Sequence, residues 1–191
     1  KLSNLPLSRL LFSGKPWLNE VEKHSYLLEI SDHYYFFDII QRYVKNSVLK
    51  PVFIGEGSGI LSNMLLTSDI DVRDATFIDL QHFLRQYIVN FDEQAKIQKF
   101  VYAQDFDASE IDGRGMTIIN QDSFPEIPAE GLKSYFELIK CNKVDRVISY
   151  NHLDLRGHSN YRELLVEYFG EPVVRFESII RSGYFIEIFE R

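Results

Sequence analysis

Three glycines at alternate positions constrain this chain more than any other feature. They lie in the run Pro51-Val52-Phe53-Ile54-Gly55-Glu56-Gly57-Ser58-Gly59-Ile60-Leu61-Ser62-Asn63-Met64-Leu65-Leu66. The apolar residues before Gly55 read as a short buried strand, and after Gly59 the apolar residues resume with helical spacing. Strand, glycine-rich turn and helix, in that order, bring a nucleotide-bearing ligand against free N–H groups at a helix N-terminus. A dinucleotide fingerprint, G-x-G-x-x-G, places its third glycine where helix and strand pack closely. Ile60 occupies that position here, and the third glycine comes one residue early, at Gly59. The spacing therefore disfavours a nicotinamide dinucleotide.

The next apolar segment, Ala75-Thr76-Phe77-Ile78, reads as a second strand and ends at Asp79. In a doubly wound sheet the carboxyl ends of neighbouring strands line one crevice, which sets Asp79 beside the glycine loop. A carboxylate there can accept from both hydroxyls of a ribose. Asp is also a favoured N-cap, so the same residue can instead start the following helix.

At 191 residues, the chain is one domain, or one domain with a helical extension. Hydrophobic residues at 45%, with 14% aromatic, are enough to build a sizeable core. A formal charge of −7 supplies no basic stripe for a nucleic-acid backbone. The sole cysteine, Cys141, forms no internal disulfide and suits a reducing compartment, so a cytoplasmic location is expected. No apolar run reaches the roughly 20 residues of a membrane span, and no signal-peptide pattern is read. The sequence opens on Lys1 rather than methionine, as a fragment or processed chain would. It leaves the oligomeric state open, a homo-oligomer included.

Residues 1–50 read as an N-terminal helical extension. Leu10-Leu11-Phe12 and Trp17 are apolar clusters punctuated by Gly14 and Pro16, and a helix is expected from about Glu20 to Val48. Its histidines 24 and 33 and tyrosines 26, 34 and 35 either roof a pocket or pack on the sheet. Residues 51–191 alternate strand and helix. A helix is expected from Leu80 to Gln94, a third strand over Lys99–Ala103, a fourth over Met116–Ile119 and a helix face at Leu132, Tyr135, Phe136 and Ile139. A fifth strand, Arg146–Tyr150, precedes a helix over Tyr161–Phe169. Val173–Ile180 and Tyr184–Phe189 close the chain as a hairpin. Asp105 and Phe106, an acid beside an aromatic after the third strand, suit an adenine site, although Asp107 and Ser109 beside them are ordinary turn residues. Asn120-Gln121-Asp122-Ser123-Phe124-Pro125-Glu126-Ile127 gathers polar groups where an α/β enzyme does its chemistry.

The order predicts an α/β, Rossmann-like, doubly wound, seven-stranded and mostly parallel sheet with a C-terminal antiparallel hairpin strand. Over about residues 50–191, with its G-x-G-x-G loop and Asp79, the chain resembles the class I S-adenosylmethionine-dependent methyltransferases. The segments Asn120–Ile127 and Ser149–His152 are similar to sugar O-methyltransferases of polysaccharide and glycoside biosynthesis. The resemblance implies S-adenosyl-L-methionine as cofactor and transfer of its methyl group to a hydroxyl of a sugar or glycosylated small molecule. It implies that Gly55, Gly57 and Gly59 form the methionine-side loop, that Asp79 holds the ribose, and that Asp105 and Phe106 line the adenine. Asn120 is placed at the cofactor and, with Glu126, towards the methyl acceptor. The acid that such loops carry two residues before the first glycine is Phe53 in this chain; Glu56, inside the loop, is the substitute. That departure keeps open a degenerate, methyltransferase-like binding or scaffolding domain.

A sugar hydroxyl gains from a positioned base. His152 is the candidate, since imidazole titrates near neutrality and the residue follows the fifth strand. Asp122 and Glu126 orient it or act as base themselves, and His158 is the second choice. Asp122, Asn151 and Glu126 offer oxygen ligands of the kind that suit Mg²⁺, but their spacing is not diagnostic and no metal is assigned.

Overall fold

A computed structural model describes residues 20–44, 47–80, 96–152 and 161–191, with backbone alone for 20–29 and 98. The apolar clusters at 10–12 and 17, the side chains of His24 and Tyr26, the helix expected after Leu80 and His158 all lie outside the described residues. Helix α1 spans Glu20–Tyr43, β1 Pro51–Ile54, α2 Ile60–Thr67, β2 Ala75–Asp79, β3 Ile97–Tyr102 and β4 Met116–Gln121. Helix α3 (Ala129–Lys140), β5 (Val144–His152), α4 (Tyr161–Phe169), β6 (Val174–Glu177) and β7 (Tyr184–Glu190) follow among the described residues.

The strands form one sheet in the order β3-β2-β1-β4-β5-β7-β6. Pairing is parallel from β3 through β5, and β7 runs antiparallel to both β5 and β6. The order reverses between β1 and β4, the switch point outside which such sheets bind ligands. β1, β2 and β4 are buried along their whole length, as strands covered on both faces must be.

One core face is built round a ladder of rings. Phe53, Phe77 and Phe100 stand side by side in the registers of β1, β2 and β3, with centroids 4.9 and 5.2 Å apart. Phe36 and Ile40 of α1, with Val44 just beyond its end, close over this face. The opposite face packs Val52, Ile54, Ile118 and Val147 against Leu132, Phe136 and Ile139 of α3 and Leu165 of α4.

Several boundaries depart from the sequence expectation. Helix α1 stops at Tyr43 rather than Val48. The Ser47 amide and hydroxyl both donate to the Val44 carbonyl, and Leu49 already bridges Val72. The β3–β4 connection holds short 3₁₀ turns at Ala103–Asp105 and Ala108–Glu110, the second capped by Asp107, whose side chain accepts from the Ser109 amide. β4 runs two residues beyond Ile119, so Asn120 and Gln121 belong to the buried strand. β6 ends at Glu177, because the Ser178 hydroxyl accepts from the Ile180 and Arg181 amides and turns the chain.

Candidate active site

Gly55, Gly57 and Gly59 all have left-handed backbone, with φ of 62°, 65° and 73°. Side-chain-bearing residues pay heavily for that conformation, which is why the loop alternates glycine. At Gly55 space matters as well: a Cβ would lie 2.5 Å from Ser123 Oγ and 2.7 Å from Ser123 Cβ. At Gly57 a Cβ would meet nothing within 4 Å. That bare backbone fronts a cavity of about 340 Å³ whose walls include Gly55, Asp79, Ala103, Ser123, Glu126 and Tyr135. A larger hollow of about 630 Å³, near Arg42 and Asp71, lies by the amino ends of β1 and β2, away from the glycine loop.

Two carboxylates at the loop, Asp79 and Glu56, have defined partners. Asp79, at the end of β2, accepts from the Gly57 amide at 3.0 Å and from the Leu80 amide at 2.7 Å. Glu56 turns inward: its oxygens accept from the Ser62 amide at 3.1 Å and the Ser62 hydroxyl at 3.0 Å, capping the first turn of α2. Burial pushes the Glu56 carboxyl up to about 7, against the pull of the Ser62 bonds. Burial, and then the charge of Asp79, also raises Tyr135 above the ordinary phenol range. Phe106 meets the Tyr135 ring edge-on at 5.1 Å, whereas Asp105 is exposed on its turn and it is Ala103 that reaches the cavity wall.

Asn120 is a bracket at the end of β4. Its amide donates to the Ile54 carbonyl at 2.7 Å and to the Ser123 hydroxyl. Its oxygen accepts from the Phe124 amide and from Asn151 Nδ2. Glu126 lies in the following 3₁₀ turn and lines the glycine-loop cavity.

The other expected acids and bases sit farther along the same edge. Asp122 has φ 61° and accepts from Arg181 Nη1 at 2.8 Å and from the Tyr184 hydroxyl at 2.7 Å. His152 ends β5 with its ring edge-on to Tyr184, 5.3 Å between centroids. The structure thus groups Gly55, Gly57, Asp79 and Glu126 about one cavity, and Asp122 with His152 about Tyr184.

The sequence reading gave no role to Asp32, Gln121, Tyr150, Ser178 or Arg181, and it left His33 between roof and packing. Both Asp32 and His33 reach this edge from α1. Asp32 accepts from the Tyr150 hydroxyl at 3.0 Å and pairs with Arg181 at 3.4 Å. Burial still raises its carboxyl above the usual range. Arg181 lies 3.6 Å from the centroid of the Tyr184 ring. His33 lies between Gln121 Oε1, at 2.9 Å, and Ser58 Oγ, at 3.3 Å. Two polar residues at the head of an otherwise apolar helical stripe were the available signal.

No protein-family profile matches the chain, and no curated protein sequence does. Solved structures do share its fold. Magnesium protoporphyrin IX methyltransferase from Synechocystis PCC 6803, with bound S-adenosylmethionine, has 15% identity and a TM-score of 0.64, covering 100% of this chain and 93% of its own. The pyocyanin biosynthetic protein PhzM has 15% identity and a TM-score of 0.57, covering 100% of this chain and 66% of its own. TrmK of M. capricolum, in complex with S-adenosylhomocysteine, has 11% identity and a TM-score of 0.52, covering 81% of this chain and 66% of its own. The fold is the seven-stranded Rossmann-like fold found in methyltransferases. Among the described residues no helix is long and apolar enough to cross a membrane.

Proposed function

We propose that this chain is an S-adenosylmethionine-dependent methyltransferase acting on a hydroxyl of a small polar acceptor, with sugars and glycosylated molecules as the acceptor class. The observation that carries the reading is the glycine loop. Its left-handed Gly57 is pinned to Asp79 beside a cavity onto which the Gly57 backbone opens. A cavity of about 340 Å³ with apolar walls and a few convergent polar groups is of the size and kind that takes a small molecule.

Gly57 presents bare backbone to the cofactor, and the Asp79 carboxylate, which accepts from the Gly57 amide and lines the same cavity, is the group that receives the ribose hydroxyls. Tyr135, with Phe106 against its edge, gives the cavity an aromatic wall. When bound, the cofactor supplies a methyl group on an electrophilic sulfonium. The protein's contribution is mainly to hold acceptor and donor in register. His152 takes the hydroxyl proton, and Asp122, fixed by Arg181 and Tyr184, orients the acceptor.

A second reading, a binding or scaffolding domain without catalysis, draws on Phe53. That side chain is committed to the ring ladder, and Glu56, the acid nearest to replacing it, is turned to Ser62. Calorimetry with S-adenosylmethionine, S-adenosylhomocysteine and NAD separates the possibilities. Binding of the first two alone supports the methyltransferase. NAD binding would overturn it, and binding of none would favour the scaffold.

A further inference from the structure

The glycine loop is held from two sides. Asp79 takes the Gly57 amide from the β2 side. On the other side the neighbour is a residue of helix α1, His33, which is 6% exposed. Its Nδ1 lies 2.9 Å from Gln121 Oε1 and its Nε2 lies 3.3 Å from Ser58 Oγ. Ser58 stands between Gly57 and Gly59, and its hydroxyl also accepts from the amide of Ile60, the first residue of α2.

Hydrogen-bond roles follow from the partners. Gln121 Oε1 can only accept, so Nδ1 carries the imidazole proton. Nε2 is then the acceptor, and the Ser58 hydroxyl donates to it. Burial lowers the imidazole to about 4, which keeps it neutral at pH 7 and preserves these roles. The charged groups bearing on it, Asp122 and Arg181, act in opposite directions. A loop with three left-handed glycines has much conformational freedom to lose, so a fixed contact on Ser58 lowers the entropy cost of binding.

Building on the methyltransferase reading, we propose that His33 is a positioning residue of the cofactor site: it fixes the glycine loop through Ser58 and is itself fixed to the end of β4 through Gln121. Helix α1 is thereby a working part of the donor half of the site as well as a cover for the sheet. Asp32 ties the same turn of the helix to Tyr150 and Arg181, which sets where the imidazole stands.

The test compares His33→Gln, His33→Asn and His33→Ala with the wild-type chain, by amide exchange of Gly57, Ser58 and Gly59 without ligand and by calorimetric Kd for S-adenosylmethionine. A Gln amide reaches the place of Nε2 and keeps the Ser58 bond, whereas Asn reaches only the place of Nδ1. Ala and Asn should speed loop exchange and weaken Kd by about tenfold, the worth of one hydrogen bond; Gln should restore most of both. Equal exchange in all four proteins overturns the proposal. So does a loss that follows melting temperature alone and is not rescued by Gln. If the wild-type chain binds no S-adenosylmethionine, the cofactor reading fails by itself, and the exchange data still decide whether His33 holds the loop.

Discussion

The Gly57 amide donates to Asp79 Oδ2 at 3.0 Å, so the residue proposed to receive a ribose is also the one that pins the loop facing it. The two roles separate by substitution. Asp79→Ala should lower the melting temperature and weaken S-adenosylmethionine binding by about 30-fold or more, the loss of roughly 2–4 kcal/mol. Asp79→Asn keeps an acceptor for Gly57 and should recover most of the melting temperature but little affinity. Recovery of both would reduce Asp79 to loop anchor.

The glycines should fail in different ways. Gly55→Ala drives a Cβ onto Ser123 in a left-handed backbone, a cost of about 2–4 kcal/mol that thermal melting will read. Gly57→Val meets open space and carries only backbone strain, about 1–3 kcal/mol. It should remain folded and bind no cofactor. Normal affinity in folded Gly57→Val would remove the basis of the assignment.

Glu56 makes stability depend on pH. Its carboxyl is raised to about 7 when folded, from an ordinary value near 4.5, so the folded chain binds the proton more tightly than the unfolded chain. Its stabilising contribution is full below about pH 4.5 and is lost as pH rises through 7. A shift of that size is worth on the order of 3 kcal/mol. Glu56→Gln should flatten the dependence, matching wild type at pH 4.5 and exceeding it at pH 8 in urea melts. A slope that survives the substitution would assign it to another group.

The strand–loop–helix and its acid were legible because their signals are local: an apolar run, alternate glycines, and a strand that ends in Asp79. The rest of the site is assembled across long separations. His33 meets Gln121 from 88 residues away and Asp32 meets Tyr150 from 118, so only the folded sheet brings them together. His33, Phe36 and Ile40 share one helical stripe, and a polar residue at its head hints at a buried partner without naming it. The apolar run of β4 stops at Ile119, but the strand goes on, because Asn120 is accommodated inside by four hydrogen bonds. Phe53 looked like a missing acid, and the register shows it as one rung of the Phe53–Phe77–Phe100 ladder.

Arg181 is the charge that lets Asp32 and Asp122 share one corner. Its side chain is 36% exposed while that of Asp32 is only 7%, so removing the cation strands the buried acid. Arg181→Ala should cost roughly 1–3 kcal/mol, less than a fully buried pair because of that exposure. With the carboxyl of Asp32 already raised by burial, its stabilising effect is lost as pH rises. The Arg181→Ala defect should therefore be larger at pH 8 than at pH 4. Adding Asp32→Asn should recover much of it, and additive losses would show that the two residues are not coupled.

His152 presents its ring edge-on to Tyr184 at 5.3 Å, at the strand end where the acceptor is proposed to lie. If it takes the proton from an acceptor hydroxyl, His152→Ala should lower kcat by about 10²–10⁴-fold. The Kd for S-adenosylmethionine should hold within about twofold, because the glycine-loop cavity is built from other residues. Tyr184→Phe provides the comparison. It keeps the ring that packs on His152 but drops the hydroxyl that donates to Asp122, so it should mainly raise KM for the acceptor. Added imidazole should restore part of the lost kcat in His152→Ala and none in Tyr184→Phe. An unchanged kcat in His152→Ala would leave positioning alone to carry the rate and move the search for a base to Asp122 and Glu126.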